Sequence, residues 1–295
     1  MHRFRTAVTT AALAFCVAHA ALAAQKKPAK KPADKPEAQQ SSAASPSLLP
    51  AEMRDRYLKM SFQAEGEQVR FELPWLIYQN LGNKHNAGID LDLKNKMLQL
   101  TNAELKKDPA GVAALVAPFK LSNNSPTFMH VFGGKGSPEQ IQAVLKLAAH
   151  FKGKLGKAWV DKGNLSDSVK AFYQAKIGVD CSGFAGNYAA AIGTRFGPNS
   201  SILSFAPASK RVKKVDEIKP GQVIVWKDNS HIATIQGKNP DGSWAIIESA
   251  GDPHGLTATD KKFEFKDSAG GVMAQVVGKN GKGGWKNTVY VASLK

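Results

Sequence analysis

The sequence is poor in cysteine, with only two among its 295 residues. Cys16 lies in an apolar run, residues 7–22, which follows basic residues at the N-terminus and leads into an Ala-Leu-Ala triplet. This order of features is typical of a secretory signal peptide, which we predict at residues 1–24. Its cleavage would leave Cys181 as the single cysteine of an exported chain, so a disulfide within the mature chain is excluded. An unpaired thiol in an oxidising compartment is either an inert packing residue or a group kept for its reactivity.

The chain also lacks a second apolar run of the roughly 18 residues that a membrane-spanning helix needs, so we expect no transmembrane segment after the signal. Residues 25–47 lack large apolar side chains and are rich in Lys, Pro, Ala and Ser. Such a composition cannot build a core and predicts a disordered tether. The remaining residues, 48–295, are enough for one large or two small domains.

Acidic residues are outnumbered, with 24 Asp and Glu against 40 Lys and Arg, and the formal net charge is +16. Such an excess favours anionic partners. For an exported protein these would be peptidoglycan or another anionic polymer of the cell envelope, and we do not expect nucleic acid. A solvated basic surface without a dedicated partner fits the charge equally well.

Helical patterns dominate the chain from the tether to the cysteine. Residues 48–125 mix short apolar runs with a predicted helix at 108–116, and we interpret them as an N-terminal accessory segment whose fold the pattern does not define. Ser137, followed by proline and by glutamine at the third helical position, predicts a capped helix start. A second helix is predicted at 166–175 and a third beginning at Cys181.

After residue 219 the pattern changes to short runs rich in Val, Ile, Ala and aromatic residues, separated by turn-forming clusters. The predicted strands cover residues 222–227, 231–236, 243–249, 271–277 and 288–294. The sequence Asn-Pro-Asp-Gly after the second strand indicates a hairpin. Helices followed by an antiparallel meander predict an α+β fold.

Cys181 stands where a turn becomes a helix, in the sequence Val-Asp-Cys-Ser-Gly-Phe. A sulfur at that position lies beside unpaired N–H groups at the positive end of the helix dipole, which favour a thiolate. Gly183 would allow close approach of the backbone or of a substrate, and the N–H of Cys181 could donate to an oxyanion. These neighbours favour a nucleophile over an inert core thiol.

A base for this thiol has to come from another element, and His231 is the best candidate. It opens a predicted strand that would pair with the preceding one as a hairpin beside the cysteine helix. Glu248, at the end of the next antiparallel strand, would lie close to His231 and could fix its tautomer. The alternatives are a surface or capping role for His231 and an ordinary exposed strand position for Glu248.

Three blocks in this order resemble the NlpC-type family of papain-like cysteine peptidases, many of which cut the peptide stems of bacterial peptidoglycan. The blocks are Asp180-Cys181-Ser182-Gly183-Phe184, Lys219-Pro220-Gly221 before an apolar strand, and His231-Ile232-Ala233. The resemblance implies a papain-like fold over residues 126–295, with N-terminal helices packed on an antiparallel β-sheet. It also implies Cys181 as nucleophile, His231 as general base and then acid, and Glu248 as the polar orienting residue.

The chain departs from the family pattern at two places. Gln222 stands where the family usually has an aspartate after Pro-Gly. The family's Tyr-Val-Trp-Gly-Gly-like segment, whose tyrosine lies near the oxyanion site, is matched best by His-Val-Phe-Gly-Gly. On that alignment His130 replaces the tyrosine, a helical insertion covers residues 137–176, and Tyr173 is an alternative source of the hydroxyl. The predicted substrate and oxyanion residues are therefore His130, Tyr173, Ser182 and Gly183.

Two other motifs fail on inspection. The Gly-Gly-Lys-Gly-Ser sequence at residues 133–137 faintly resembles a phosphate-binding loop but lacks the Walker spacing, and a turn leading into a helix is the better interpretation. Apart from His231, the histidines that follow the predicted signal peptide show no metal-ligand spacing. They are His85, His130, His150 and His254. We therefore expect no metal and no cofactor.

The sequence thus predicts an exported enzyme, periplasmic or secreted, that hydrolyses amide bonds in peptidoglycan stem peptides through a Cys181 thioester. A papain-like amidase or acyltransferase acting on another envelope or host substrate is the first alternative. A non-catalytic wall-binding module is the second, and the presence of both Cys181 and His231 argues against it.

Overall fold

Helices precede strands along most of the chain. The computed structural model describes residues 48–80, 90–117, 126–251, 255–269, 271–277 and 287–294. The predicted signal peptide and tether lie outside these residues. Within them the α+β class predicted from the sequence is confirmed.

A β-hairpin follows the first helix without a loop. α1 (Pro50–Leu58) leads directly into β1 (Lys59–Ala64), which pairs antiparallel with β2 (Glu67–Glu72). The two turn residues, Glu65 and Gly66, have positive φ angles of 51° and 78°, which a tight hairpin turn favours. The sequence pattern had predicted no fold for this region, so the hairpin is a finding of the structure.

The described residues contain six further α-helices. They are α2 (Leu91–Lys107), α3 (Pro109–Val116), α4 (Pro126–Phe132), α5 (Pro138–His150), α6 (Leu165–Lys176) and α7 (Cys181–Ala191). The predicted capping box of α5 is confirmed, because the Ser137 N–H donates to Gln140 Oε1 at 2.9 Å and the Gln140 N–H donates to Ser137 Oγ at 3.3 Å. α3, α6 and α7 confirm the other three predicted helices. None of the described helices combines the length and the apolarity needed to cross a membrane.

Two short strands connect the beginning of the chain with its second half. β3 (Trp75–Leu76) pairs antiparallel with β7 (Leu256–Thr257), in a register that sets Trp75 opposite Thr257. A bond from the Ala258 N–H to the Pro74 carbonyl, 3.0 Å long, extends this pairing. The residues just after β3 are thereby held beside the strands of the second half.

Six strands of the described second half close into an antiparallel barrel. They are β4 (Val223–Trp226), β5 (Ile232–Lys238), β6 (Trp244–Ile247), β8 (Lys261–Ser268), β9 (Gly271–Val276) and β10 (Asn287–Ala292). The predicted meander is therefore antiparallel as expected, but it is closed, because β10 pairs with both β9 and β4. The sequence pattern did not predict β8, which is rich in lysine and acidic residues that are depleted in strands.

Successive side chains of a barrel strand point to opposite faces of the sheet, and the two faces pack in two different cores. One core draws apolar residues from all six barrel strands and fills the barrel, with Ile224, Ile235 and Phe263 among them. The other contains Val225 and Ile232 together with the helices. β4 and the first four residues of β5 are buried on both faces for this reason, and β4 is an uninterrupted apolar run.

The predicted accessory segment is an integral part of the fold. Residues 48–117 belong to the same compact unit as the described residues that follow. Tyr57 of α1 packs on Phe184 of α7 with ring centroids 5.9 Å apart, and Phe71 of β2 packs on Tyr173 of α6 at 6.2 Å. The predicted helical insertion supplies α5 and α6 to this core and contacts the hairpin. Residues from the predicted accessory segment, the predicted insertion and the predicted hydrolase domain therefore share the core that contains the helices.

Candidate active site

Cys181 is the first residue of α7, and only 3% of its surface is exposed. The helix is capped by Asp180, whose Oδ1 accepts a hydrogen bond from the Gly183 N–H at 2.5 Å. Burial raises the pKa of the Cys181 thiol, but a hydrogen bond and the charge from His231 outweigh burial and bring that pKa below its ordinary value. The predicted nucleophile therefore lies where a thiolate is favoured.

His231 lies directly before β5, and Glu248 lies directly after β6. These strands are antiparallel neighbours that pair Thr234 with Ile247, so the two side chains meet at the same end of the strand pair. His231 Nε2 lies 2.8 Å from Glu248 Oε2, which leaves Nδ1 as the ring nitrogen for the thiol. The structure brings Cys181 and the predicted base and orienting residue into one cluster.

The charges of this cluster reinforce one another. Burial lowers the pKa of His231, but hydrogen bonds with Cys181 and Glu248 and the charges of both raise it to about 9. Burial raises the pKa of Glu248, yet the hydrogen bond and charge of His231, followed by those of Lys261, lower it to about 2. The contacts therefore favour a thiolate, an imidazolium and a carboxylate in a row.

Two further side chains fix the histidine and the glutamate, and neither was predicted. Lys261 Nζ lies 2.6 Å from Glu248 Oε1, so both oxygens of the carboxylate are engaged. The Trp226 ring packs edge-on against His231 with centroids 4.9 Å apart. Trp226 could have been found from the hairpin predicted around His231, but Lys261 lies on the unpredicted strand β8.

A tyrosine hydroxyl reaches the sulfur from the first part of the chain. Tyr78 Oη lies 3.7 Å from Cys181 Sγ, and 8% of the Tyr78 surface is exposed. Burial and the negative charge of the Cys181 sulfur raise the pKa of Tyr78, so its hydroxyl stays protonated and can donate at neutral pH. The sequence offered only an apolar run around Tyr78, with no sign that it would meet a cysteine 103 residues later.

The segment that carries Tyr78 is bound to the turn before the nucleophile. The Val179 N–H donates to the Ile77 carbonyl at 3.1 Å, and the Gly178 N–H donates to Gln79 Oε1 at 2.8 Å. Ser249 Oγ donates to the Val179 carbonyl at 2.6 Å and ties the end of β6 to the same turn. Three distant parts of the chain are thus held together at this turn by hydrogen bonds to the backbone of residues 178 and 179.

The two predicted sources of an oxyanion side chain have other hydrogen-bond partners. Tyr173 is fully buried and its hydroxyl donates to the Tyr57 carbonyl at 2.9 Å, so it is committed to the core. His130, on α4, has Nε2 3.2 Å from Asn199 Nδ2. Burial and, after it, the charge of Lys135 lower the pKa of His130. Tyr78 occupies the place near the sulfur for which these two residues were considered.

The two predicted residues that follow the nucleophile have packing partners. Ser182 Oγ donates to Asp180 Oδ1 at 3.3 Å and accepts from Lys135 Nζ. Gly183 lies against the loop before α5, where a Cβ atom would come within 1.9 Å of the Gly134 carbonyl oxygen. The glycine is required for close packing of the helix on this loop, which is the close approach of backbone that the sequence predicted as one of two roles for Gly183.

The other histidines form no metal site in the part of the chain that the structure describes, which has no group of three or more metal-ligating side chains. His150 Nδ1 lies 3.1 Å from Glu65 Oε1 on the surface. His85 and His254 lie outside the described residues.

Comparison with known proteins found no relative: no protein-family model, curated protein or solved structure matches the chain. What the site can do follows from its geometry. A buried thiolate beside an imidazolium can attack an electrophilic carbonyl carbon, and a nearby tyrosine hydroxyl can bind the carbonyl oxygen as it becomes charged.

Proposed function

We propose that the protein is an exported, papain-like cysteine hydrolase that cleaves amide bonds in peptidoglycan stem peptides. The observation that carries this proposal is the cluster of Cys181, His231 and Glu248, with Tyr78 3.7 Å from the sulfur. A papain-like arrangement is supported by α7, which begins at the nucleophile and packs against β5, the strand that follows the histidine.

In the first half of the proposed reaction, the Cys181 thiolate attacks the carbonyl carbon of the amide. The oxygen then carries a negative charge, which the N–H of Cys181 and the hydroxyl of Tyr78 stabilise by hydrogen bonds. The C–N bond breaks as the His231 imidazolium gives its proton to the leaving amine. An acyl group remains on the sulfur as a thioester, and His231 is left neutral.

In the second half, neutral His231 accepts a proton from a water molecule that attacks the thioester carbonyl. The C–S bond breaks, the acid is released, and the thiolate and imidazolium are restored. Glu248 stabilises the imidazolium at both stages and holds Nε2, so that Nδ1 stays directed to the sulfur. Each proton that leaves the pair in the first half returns in the second.

The substrate class rests on three observations from the sequence. The three blocks around Cys181 and His231 resemble the NlpC-type family, the N-terminus has the order of a signal peptide, and the net charge of +16 suits an anionic polymer. Together these support the cell envelope as the place of action. They favour stem peptides over other amides because that family's substrates are of this kind.

The proposal is tested by digesting purified sacculi and identifying the muropeptides by mass spectrometry. We expect the wild-type protein to remove a stem-peptide crosslink or to shorten the stem, and Cys181→Ala to do neither. Cys181→Ser serves as a matched control, because it nearly keeps the side-chain volume and loses the thiolate. Sacculi digested equally by Cys181→Ala would overturn the proposal.

The same measurement separates the alternatives. Unchanged muropeptides, combined with rapid alkylation of Cys181 near neutral pH, would favour an amidase or acyltransferase that acts on another substrate. Unchanged muropeptides, combined with alkylation no faster than that of a free cysteine, would favour a non-catalytic wall-binding module. The alkylation rate is measured on the folded full chain without any substrate.

A further inference from the structure

A lysine and a carboxylate form a buried pair directly behind the nucleophile. Lys135 Nζ lies 2.7 Å from Asp180 Oδ2 and 2.9 Å from Asp180 Oδ1, and it also donates to Ser182 Oγ. The Asp180 side chain is 2% exposed and the Lys135 side chain 16%. Asp180 and Ser182, the two partners of Lys135, are the sequence neighbours of Cys181. The proposed reaction assigns no role to Lys135.

The backbone around Lys135 is fixed from several directions. Gly134 has a φ angle of 77°, and a Cβ atom there would come within 1.9 Å of the Gln79 carbonyl oxygen. The Gly134 carbonyl accepts from the Asp180 N–H at 3.0 Å, and the Gly136 carbonyl accepts from Asn187 Nδ2 at 3.1 Å. The Gly-Gly-Lys-Gly sequence is thus built to hold its lysine at the start of α7.

The cap of α7 creates an electrostatic conflict at the thiol. Asp180 must accept a hydrogen bond from the Gly183 N–H to cap the helix, but its negative charge adjoins the sulfur and raises the pKa of Cys181. Burial raises the pKa of Asp180 itself, and the charge and hydrogen bond of Lys135 act against burial. A capping carboxylate next to a thiolate therefore needs a positive charge close by.

We propose that Lys135 is a positioning residue for the nucleophile, which neutralises the Asp180 carboxylate and so lets it cap α7 without repelling a negative charge on Cys181. This inference rests on the proposed function only in that it takes Cys181 to react as a thiolate. It adds a residue from the loop before α5. The sequence of this loop faintly resembles a phosphate-binding loop, an interpretation rejected because the Walker spacing is missing.

Other charged groups also face the thiol and remain in place in the test. His231 approaches from the start of β5, with Glu248 and Lys261 behind it, and Tyr78 approaches from the segment after β3. Their contributions are common to all variants of the pair. Differences between those variants then report on Lys135 and Asp180.

The experiment measures the rate of Cys181 alkylation by uncharged iodoacetamide as a function of pH, on the folded full chain. For Lys135→Met we expect the acid limb to move to higher pH, with alkylation roughly three- to tenfold slower below its midpoint, where tenfold is one pKa unit. For Asp180→Asn we expect the opposite shift, because asparagine still caps the helix but leaves Lys135 unopposed. The acid limb of the double variant should lie between those of the two single variants. The acid limb of Lys135→Arg should lie near that of wild type.

The opposite signs distinguish this role from a structural one. If the pair only braced the loop, both single variants would loosen the site and shift the limb in the same direction. Lys176→Met is the matched control, since it removes a partly buried lysine 3.1 Å from Asp90, and it should leave the limb unchanged. Shifts of the same sign, or none, for the two single variants would overturn the inference.

Folding and the proposed function are checked separately. If Lys135→Met does not fold, Asp180→Asn decides alone: a limb at lower pH supports the inference, and an unchanged or higher one overturns it. A wild-type thiol that reacts no faster than free cysteine would overturn the thiolate itself and the proposed function with it. A reactive wild-type thiol with no shift in the variants would overturn only the role of Lys135.

Discussion

The site has a helical side, formed by α7 and the loop before α5, and a barrel side, formed by the barrel strands. On each side a lysine pairs with a carboxylate, next to one of the two groups proposed to react. Asp180 and Lys135 lie behind the thiol, whereas Glu248 and Lys261 lie behind the imidazole. Burial raises the pKa of both carboxyls, and for Asp180 it prevails over Lys135. For Glu248 the His231 imidazolium and Lys261 prevail, and the pKa falls to about 2.

The difference follows from the charge that each carboxylate faces. Glu248 faces a group that becomes positive, so its negative charge stabilises the reactive state of His231. Asp180 adjoins a group that becomes negative, so its charge opposes the reactive state of Cys181. In the proposed reaction, the carboxylate therefore assists the chemistry on the barrel side, whereas on the helical side its charge has to be neutralised.

The largest expected effect tests whether the helical and barrel sides support the reaction without Tyr78, which belongs to neither side. Tyr78→Phe should lower kcat about 100-fold with little change in KM, because an oxyanion donor acts mainly in the transition state. Steady-state kinetics on a soluble stem-peptide substrate give both constants. Tyr188→Phe, which removes a hydroxyl seven residues into α7, is the control. A loss of kcat below about threefold in Tyr78→Phe would mean that backbone groups alone stabilise the oxyanion.

The second effect tests the barrel side. Glu248→Gln should lower kcat/KM by about tenfold, which corresponds to one pKa unit of imidazolium stabilisation. Cys181 and the Glu248 carboxylate together raise the pKa of His231 to about 9, so loss of the carboxylate should move the alkaline limb of the pH profile to lower pH. Glu264→Gln, at an exposed position on β8, should leave the profile unchanged. An alkaline limb that stays in place would contradict the charge assignment of Glu248.

The smallest effect sharpens the asymmetry between the two lysines. In Lys261→Met the pKa of Glu248 should rise from about 2, yet the carboxyl should stay ionised at neutral pH through its contact with His231. We expect kcat/KM to fall by about threefold or less near neutral pH, well under one pKa unit in free energy. Kinetics on Lys261→Met and on Lys262→Met, whose Nζ lies 2.9 Å from Asp241, measure this difference. A tenfold loss specific to Lys261→Met would erase the asymmetry.

The Lys261→Met substitution should also change the stability of the fold toward acid. A depressed carboxyl pKa contributes stability above the unfolded value, and this is lost as pH falls through the folded value. For Glu248 that loss occurs toward a pKa of about 2. Because Lys261→Met raises the folded pKa, acid unfolding followed by circular dichroism should begin at higher pH than in wild type or Lys262→Met.

Local patterns were enough to predict that Cys181, His231 and Glu248 lie together. The helix start at Cys181 can be seen in its capping aspartate and following small residues, and His231 and Glu248 follow from strand pairing across one hairpin. Each of these signals involves residues that are near one another in sequence. The helices α3, α5 and α6 were predictable for the same reason.

The remainder depends on contacts between distant segments. Tyr78 reaches the sulfur because the two-residue strand β3 pairs with β7, and no periodicity marks so short a strand. The closure of the barrel depends on β10 pairing with β4, more than 60 residues earlier in the chain. His130 was considered because its segment best matches the family's tyrosine segment, and Tyr173 was the alternative source of the hydroxyl.

The side chains that shape the site come from six separate segments of the chain. They are Tyr78, Lys135, Cys181, His231, Glu248 and Lys261. No partly folded intermediate that lacks one of these segments can hold the complete set, and in an unfolded chain Cys181 is an ordinary, mostly protonated thiol. The speed with which a thiol reagent labels Cys181 should therefore report the fraction of molecules that have completed folding.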